Sequence, residues 1–223
     1  MNFWAQVRAI AWKDLLSELR TREIIFSILG FALLVLVVFN FAFSPDRDLI
    51  IQIAPGLLWV TFVFSGVLAL NRTFIPEKEE NCIEGLLCCP VKSEAIYVGK
   101  ALGGFFFLII IELIVLGACA LLFDLSVIRL ELFVVILLAT IGFVSVGTLF
   151  SAVAVNTRAR EMVLPILFLP VITPVIIAAV KATGIIFEGD SWKDLASWIV
   201  LLASFDIIFL VVPLLIFPYV IEE

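Results

Sequence analysis

Six long apolar stretches, separated by short polar connections, dominate the pattern along the chain. A bilayer core about 30 Å thick needs about 20 apolar residues per helix, because every backbone polar group must be satisfied within the spanning segment. Each stretch is close to that length, so we predict an all-α integral membrane protein with six transmembrane helices. The predicted spans are Ile24–Phe43, Leu49–Leu70, Ala101–Leu122, Leu132–Val155, Met162–Val180 and Trp198–Ile221.

Composition supports this prediction and limits what else the chain contains. Of the 223 residues, 64% are hydrophobic and 15% are charged, whereas soluble domains are about 45–50% apolar. The connections between the spans are too short for a separate soluble domain. We expect residues 1–223 to form one transmembrane domain, and any catalytic domain to belong to another polypeptide.

The positive charges predict the orientation, because cytoplasmic loops carry an excess of Lys and Arg. With a cytoplasmic N-terminus, ten of these residues lie on the cytoplasmic side and four on the other, so both termini are expected to be cytoplasmic. The net charge of −6 argues against nucleic acid as a partner, which needs a basic surface. The ten residues are Arg8, Lys13, Arg20, Arg22, Arg72, Lys78, Lys92, Lys100, Arg158 and Arg160, and the four are Arg47, Arg129, Lys181 and Lys193.

Residues 1–23 precede the first span and have an amphipathic pattern. We predict a helix from Phe3 to Arg20 that lies in the membrane interface, where tryptophans sink and basic groups stay in water. The alternative is a cytoplasmic extension of the first span. Arg8 interrupts the apolar face. That face holds Trp4, Ala11, Trp12, Leu15, Leu16 and Leu19, and the opposite face holds Gln6, Lys13, Ser17 and Arg20.

The longest polar connection, residues 71–100, is expected to face the cytoplasm and to contain a short helix. Pro76 suits the first helical position and Pro90 ends the helix about one residue earlier. Acidic residues favour the positive N-terminal end of the helix dipole, and three apolar residues share one side. Such a helix suits the binding of a peripheral protein. The acidic residues are Glu77, Glu79 and Glu80, and the apolar ones are Ile83, Leu86 and Leu87.

The cysteines do not form a recognisable metal site. Structural zinc usually takes four Cys or His ligands, but the chain has no histidine, and Cys119 lies in a span far from Cys82, Cys88 and Cys89. The reducing cytosol disfavours a disulfide. We therefore interpret the cysteines as small apolar packing residues and predict no metal. The Gly-Lys pair in Val98–Ala101 lacks the rest of a phosphate-loop motif, so the chain has no ATPase signature of its own.

Two stretches resemble type-2 ABC transporter permeases. FIPEKEENCIEGLLCCPVKSEAIYVGKAL, residues 74–102, is similar to their cytoplasmic signature, and IAPGLLWVTFVFSGVLALNRTF, residues 53–74, resembles more narrowly the haem exporter B family of bacterial cytochrome c maturation. The likeness covers nearly the whole chain. At Asn81–Gly85, where the family commonly has Gly-Ser or Gly-Thr before the Leu-rich turn, this chain departs from the pattern, and the resemblance gives the cysteines no role.

The resemblance implies a permease subunit of the bacterial inner membrane, surrounded by lipid and without ATPase activity of its own. A separate ABC ATP-binding subunit would bind ATP and dock on helix 74–90, the coupling helix. The complex would also contain a second copy of the chain and haem-handling membrane subunits, and it would deliver haem to a periplasmic haem chaperone. The implied docking residues are Glu77, Glu79, Glu80, Ile83, Glu84, Gly85, Leu86 and Leu87.

Five residues inside the predicted spans are further candidates for function. A charge in the bilayer costs about 2.5–3.5 kcal/mol on insertion scales, so Glu112 and Asp206 are expected at helix interfaces, protonated or hydrogen-bonded, with a substrate or proton-relay role as the alternative. Prolines in a helix each remove a backbone donor. We predict that Pro165, Pro170 and Pro174 make the fifth span broken or re-entrant, as a moving or outward-facing part, with an inert kink as the alternative.

The leading hypothesis is a permease subunit of an ABC complex that supports haem export and delivery during cytochrome c maturation. The alternatives are a type-2 ABC permease for a lipid, polysaccharide or drug, and a non-transporting scaffold that couples ATP hydrolysis to remodelling of a haem complex. An intramembrane enzyme is disfavoured, since no nucleophile–base pair has a recognisable spacing. With no histidine, the chain also lacks a paired axial site for iron, so we expect no tight haem binding by the chain alone.

Overall fold

The computed structural model describes residues 2–20, 22–42, 47–71, 73–74, 92–125, 127–155, 160–189 and 192–221. These residues form seven α-helices and no β-strand. The predicted all-α class is therefore confirmed. In chain order the helices are α1 (Phe3–Arg20), α2 (Arg22–Ala42), α3 (Arg47–Leu70), α4 (Ser93–Phe123), α5 (Leu130–Val155), α6 (Arg160–Glu188) and α7 (Trp192–Ile221).

Helices α2 to α7 are the six membrane spans, and each is long and apolar enough to cross a bilayer. All six begin before the predicted residue, and three extend six to eight residues beyond the predicted bounds at one end: α4 begins at Ser93 instead of Ala101, α6 ends at Glu188 instead of Val180, and α7 begins at Trp192 instead of Trp198. In the sequence, Lys100, Lys181 and Lys193 interrupt the apolar runs near these ends. The helices continue through them because lysine is a good helix former.

Small residues bring α3 and α5 close together, as is common in membrane bundles, and an aromatic contact joins α6 to them. Gly147 of α5 lies against Leu70 of α3, and Gly66 of α3 lies against the ring of Phe143 on α5. Phe168 of α6 contacts the Phe143 ring edge-on, with the ring centroids 4.7 Å apart. These three helices therefore share one tightly packed core.

The prolines of α6 do not interrupt it, so the prediction of a broken or re-entrant fifth span is wrong. The helix is continuous from Arg160 to Glu188 with Pro165, Pro170 and Pro174 inside it. Each proline removes one backbone hydrogen bond, but neighbouring helices compensate for such losses in membrane bundles. Here α6 packs against α3 and α5 through a buried apolar stripe. The stripe includes Leu164, Phe168, Ile172, Val175 and Ala179.

Helix α1 is present as predicted, and it packs against the bundle through a face that the prediction did not include. The predicted apolar face contains Trp4 and Trp12, whose side chains are 72% and 63% exposed. The buried face instead contains Val7, next to Ile10, which contacts the start of α4 at Gly99. The tryptophans lie on the outside of the bundle, and the position of α1 in the membrane interface stays a prediction.

We expect Gly66→Ala to lower the thermal stability of the protein. A methyl group at this position meets the Phe143 ring, and overpacking costs about 1–3 kcal/mol, more than the gain of up to about 1 kcal/mol from the higher helix propensity of alanine. Gly117→Ala is the matched control, because no described atom lies within 4 Å of its added methyl group. Unfolding midpoints in one detergent compare them. A Gly66→Ala midpoint at or above that of the control would contradict this packing.

Candidate functional site

A buried lysine marks the place where α1, the end of α3 and the start of α4 meet, which we call the junction. Lys100 is only 2% exposed. Its Nζ donates a hydrogen bond to the carbonyl oxygen of Thr73 at 2.8 Å and lies 3.3 Å from Oδ2 of Asp14. It also lies 4.5 Å from the centre of the Phe74 ring, which is a cation–π contact.

These partners explain how the junction tolerates a buried charge. An ammonium group removed from water is costly unless its charge is paired and its protons are hydrogen-bonded. Asp14 supplies the opposite charge from α1, the Thr73 carbonyl accepts a hydrogen bond, and the Phe74 ring presents its negative face. Three separate parts of the chain therefore meet at one ammonium group.

Two glycines of α4 let α1 approach closely enough for this contact. A Cβ at Gly99 would lie 2.8 Å from the Ile10 side chain and 3.2 Å from the carbonyl oxygen of Val7. A Cβ at Gly103 would lie 3.2 Å from Cβ of Asp14. The Gly-Lys pair that looks like part of a phosphate loop thus lies inside a helix, where Gly99 permits close packing of α1.

An aromatic cluster ties together the neighbouring helix ends. The Tyr97 ring of α4 lies 5.2 Å from the Phe217 ring of α7, and the Phe74 ring lies 6.3 Å from Phe217. The Tyr97 hydroxyl donates a hydrogen bond to the carbonyl oxygen of Ser145 on α5 at 2.9 Å. The cluster therefore fixes α4, α5 and α7 beside the point where the chain leaves for residues 75–91.

The predicted docking residues lie outside the described residues, as do Cys82, Cys88 and Cys89. What the structure does place is the chain on either side of them. Thr73 and Phe74 precede the segment 75–91, and both contact Lys100 of the helix that follows it. The two flanks of the segment are therefore joined at the junction. The docking residues are Glu77, Glu79, Glu80, Ile83, Glu84, Gly85, Leu86 and Leu87.

Glu112 is buried between α4 and α5, where it is 7% exposed. Thr140 Oγ1 lies 2.7 Å from Glu112 Oε2 and 2.8 Å from the carbonyl oxygen of Ile136, both within hydrogen-bonding distance. One hydroxyl proton serves only one acceptor, so both bonds form together when the carboxyl group carries a proton of its own. A small pocket bordered by Trp59 and Phe143 adjoins the pair.

Asp206 is buried between α7 and α5 and is 5% exposed. Its Oδ1 lies 2.7 Å from the position that a Cβ would take on Gly142. Among the described residues, neither of its carboxyl oxygens has a hydrogen-bond partner. The structure thus places both intramembrane acids at helix interfaces, as expected, but it does not join them to each other by a hydrogen bond.

The sequence analysis did not identify Asp14, Lys100 or Thr140 as site residues. Lys100 and Asp14 are 86 positions apart, and no short motif reports a pairing over that separation. A weak signal existed for Asp14, which follows Val7 and Ile10 at helical spacing and thus shares their face. The predicted faces of this helix included none of these three residues.

We expect Glu112→Gln to keep the stability of the protein and Glu112→Leu to lower it. Glutamine retains the shape and a neutral group that bonds Thr140, whereas leucine removes an interhelical hydrogen bond, worth about 0.6–1.7 kcal/mol in membrane proteins. Thermal unfolding of both variants in the same detergent measures the difference. If glutamine destabilises as much as leucine, the position needs a charged carboxylate and the proton assigned to it is absent.

Comparison with known proteins finds relatives along most of the chain. The family model described as CcmB protein matches residues 5–222. Heme exporter protein B of Rhodobacter capsulatus is 28% identical over 172 residues, which are 77% of this chain and 79% of that protein. The protein of the same name from Paracoccus denitrificans is 28% identical over 182 residues, 79% of this chain and 80% of that one. The one from Escherichia coli is 32% identical over 74 residues, 33% and 34% of the two chains.

Proposed function

The chain belongs to the CcmB protein family, and we propose that it is the membrane permease subunit of an ABC complex that exports haem for cytochrome c maturation. The observation that carries this proposal is the family match over residues 5–222, together with relatives that bear the name heme exporter protein B. The six apolar spans fit a permease. The proposed location is the bacterial inner membrane, with both termini in the cytoplasm, as the distribution of Lys and Arg favours.

A separate ATP-binding subunit supplies the energy in this proposal, and it docks on the segment 75–91. The acidic and apolar residues of that segment suit a protein contact at the cytoplasmic surface. The junction supports the assignment, because contacts between Phe74 and Lys100 hold the two flanks of the segment together at the end of the bundle. A displacement of the segment would therefore be transmitted directly to the end of α3 and the start of α4.

The remaining partners follow from the same proposal. A second copy of the chain completes the transmembrane part, haem-handling membrane subunits join it, and a periplasmic haem chaperone receives the haem. Membrane lipid covers the outer faces of the spans, which are rich in exposed apolar side chains. On α7 these include Val200, Ile207, Ile208 and Leu215.

Replacing Glu80 by Lys and Gly85 by Val is expected to abolish recruitment of the ATP-binding subunit while membrane insertion stays intact. The first change reverses a charge near the start of the helix predicted from the sequence, and the second adds bulk where the partner is proposed to pack. Co-purification from detergent extracts, with membrane yield measured in parallel, tests this expectation. Glu188→Lys is the matched control, because Glu188 is exposed at the opposite end of the bundle. A double variant that still retains the ATP-binding subunit would refute the docking assignment.

The purified chain by itself is expected to show no stoichiometric Soret band when haem is added. Two residues that could ligate iron are inaccessible to haem. Cys119 is fully buried, and the buried Tyr97 hydroxyl donates a hydrogen bond to the carbonyl oxygen of Ser145. Visible absorption after removal of unbound haem measures this, with the intact extracted complex as the comparison. A stoichiometric band that disappears in Cys119→Ala or Tyr97→Phe would show that this subunit does ligate haem.

A further inference from the structure

Lys100 and its partner Asp14 form a buried ion pair between α1 and α4. Replacing a buried ion pair by apolar residues of similar volume is often neutral or even stabilising in proteins, so the pair is weak evidence for a role in stability. The Lys100 side chain is nevertheless 2% exposed and its partner Asp14 is 14% exposed. A second lysine, Lys13, also contacts Asp14 at 3.0 Å, but that side chain is 55% exposed and lies at the surface.

The positions of the Lys100 partners indicate what the pair does. Asp14 belongs to α1, Thr73 and Phe74 lead directly into the segment 75–91, and Lys100 belongs to the helix that follows it. Close approach at Gly99 and Gly103 leaves α1 in direct contact with α4. The ammonium group is therefore bonded at once to α1 and to the residue that leads into the docking segment.

We propose that the Asp14–Lys100 pair is a mechanical link that makes α1 move together with the docking segment and α4. When the ATP-binding subunit displaces residues 75–91, the bond to Thr73 pulls the ammonium group, and the ammonium group pulls α1 through Asp14. Lys100 is a positioning residue, since it acts on α1 and not on ATP or on the transported ligand. The inference rests on the proposed function, because it requires an ATP-binding subunit on the segment.

The test compares Asp14→Asn, Lys100→Met and the double variant in the whole complex reconstituted into liposomes. Methionine and asparagine keep the volume of the pair but remove its charges. Three quantities are measured: the ATP-binding subunit that co-purifies, the rate of ATP hydrolysis, and the haem passed to the acceptor chaperone per ATP hydrolysed. Lys181→Met is the control, since Lys181 is exposed in α6 and distant from the junction in the chain.

The proposal predicts that the double variant keeps its ATP-binding subunit but delivers about tenfold less haem per ATP, which is a coupling loss of the usual allosteric size. The single variant Asp14→Asn, in which Lys100 is unchanged, is expected to lose part of the coupling. This milder variant tests the proposal if the double variant does not fold. Full delivery per ATP in either folded variant would overturn the link. Failure of the unmodified chain to retain an ATP-binding subunit would instead overturn the proposed function.

Discussion

The core of a bilayer offers no water to hydrogen-bond with the chain, and this constraint shapes nearly every polar contact in the spans. Backbone groups are satisfied within helices, and several hydroxyl groups bond to carbonyls of their own helix, as Thr61 does to Leu57 at 2.8 Å. Some polar side chains form hydrogen bonds between two helices, such as the Trp59 indole N–H, which donates to Thr183 Oγ1 at 2.9 Å. The Glu112–Thr140 pair obeys the same rule with a carboxyl group. The interior of the bundle is therefore held by packing and a few short polar links.

At the junction the group that must be satisfied without water is a charged one, the ammonium group of Lys100. Lys100 is buried, but it lies near the start of α4, where a carboxylate, a carbonyl group and an aromatic ring from other parts of the chain surround it. Asp206 is the contrast, because neither carboxyl oxygen has a hydrogen-bond partner among the described residues. A paired charge at the end of the bundle can join moving elements, whereas an unpaired acid in the middle needs its proton or a partner from outside the described chain.

Sequence patterns predicted the class of the fold well, because the length of an apolar run is a direct consequence of bilayer thickness. They failed where packing decides. Pro165, Pro170 and Pro174 suggest a break when considered alone, yet the buried stripe of α6 keeps the helix continuous. The face that α1 buries depends on Gly99 and Gly103, which are far away in the chain. The hydropathy pattern of α1 does not indicate that contact. Charged pairs such as Asp14–Lys100 are invisible for the same reason.

In the proposed function, the junction connects α1 and the membrane bundle to the segment 75–91, on which a separate ATP-binding subunit docks. The most direct test is to tag the chain, cross-link amines in native membranes, extract gently, and identify cross-linked peptides by mass spectrometry together with visible absorption. The account predicts cross-links from Lys78 to an ATP-binding subunit, and haem in the extracted complex. An extract in which Lys78 links to no ATP-binding subunit, although other lysines of the chain are cross-linked, would contradict it.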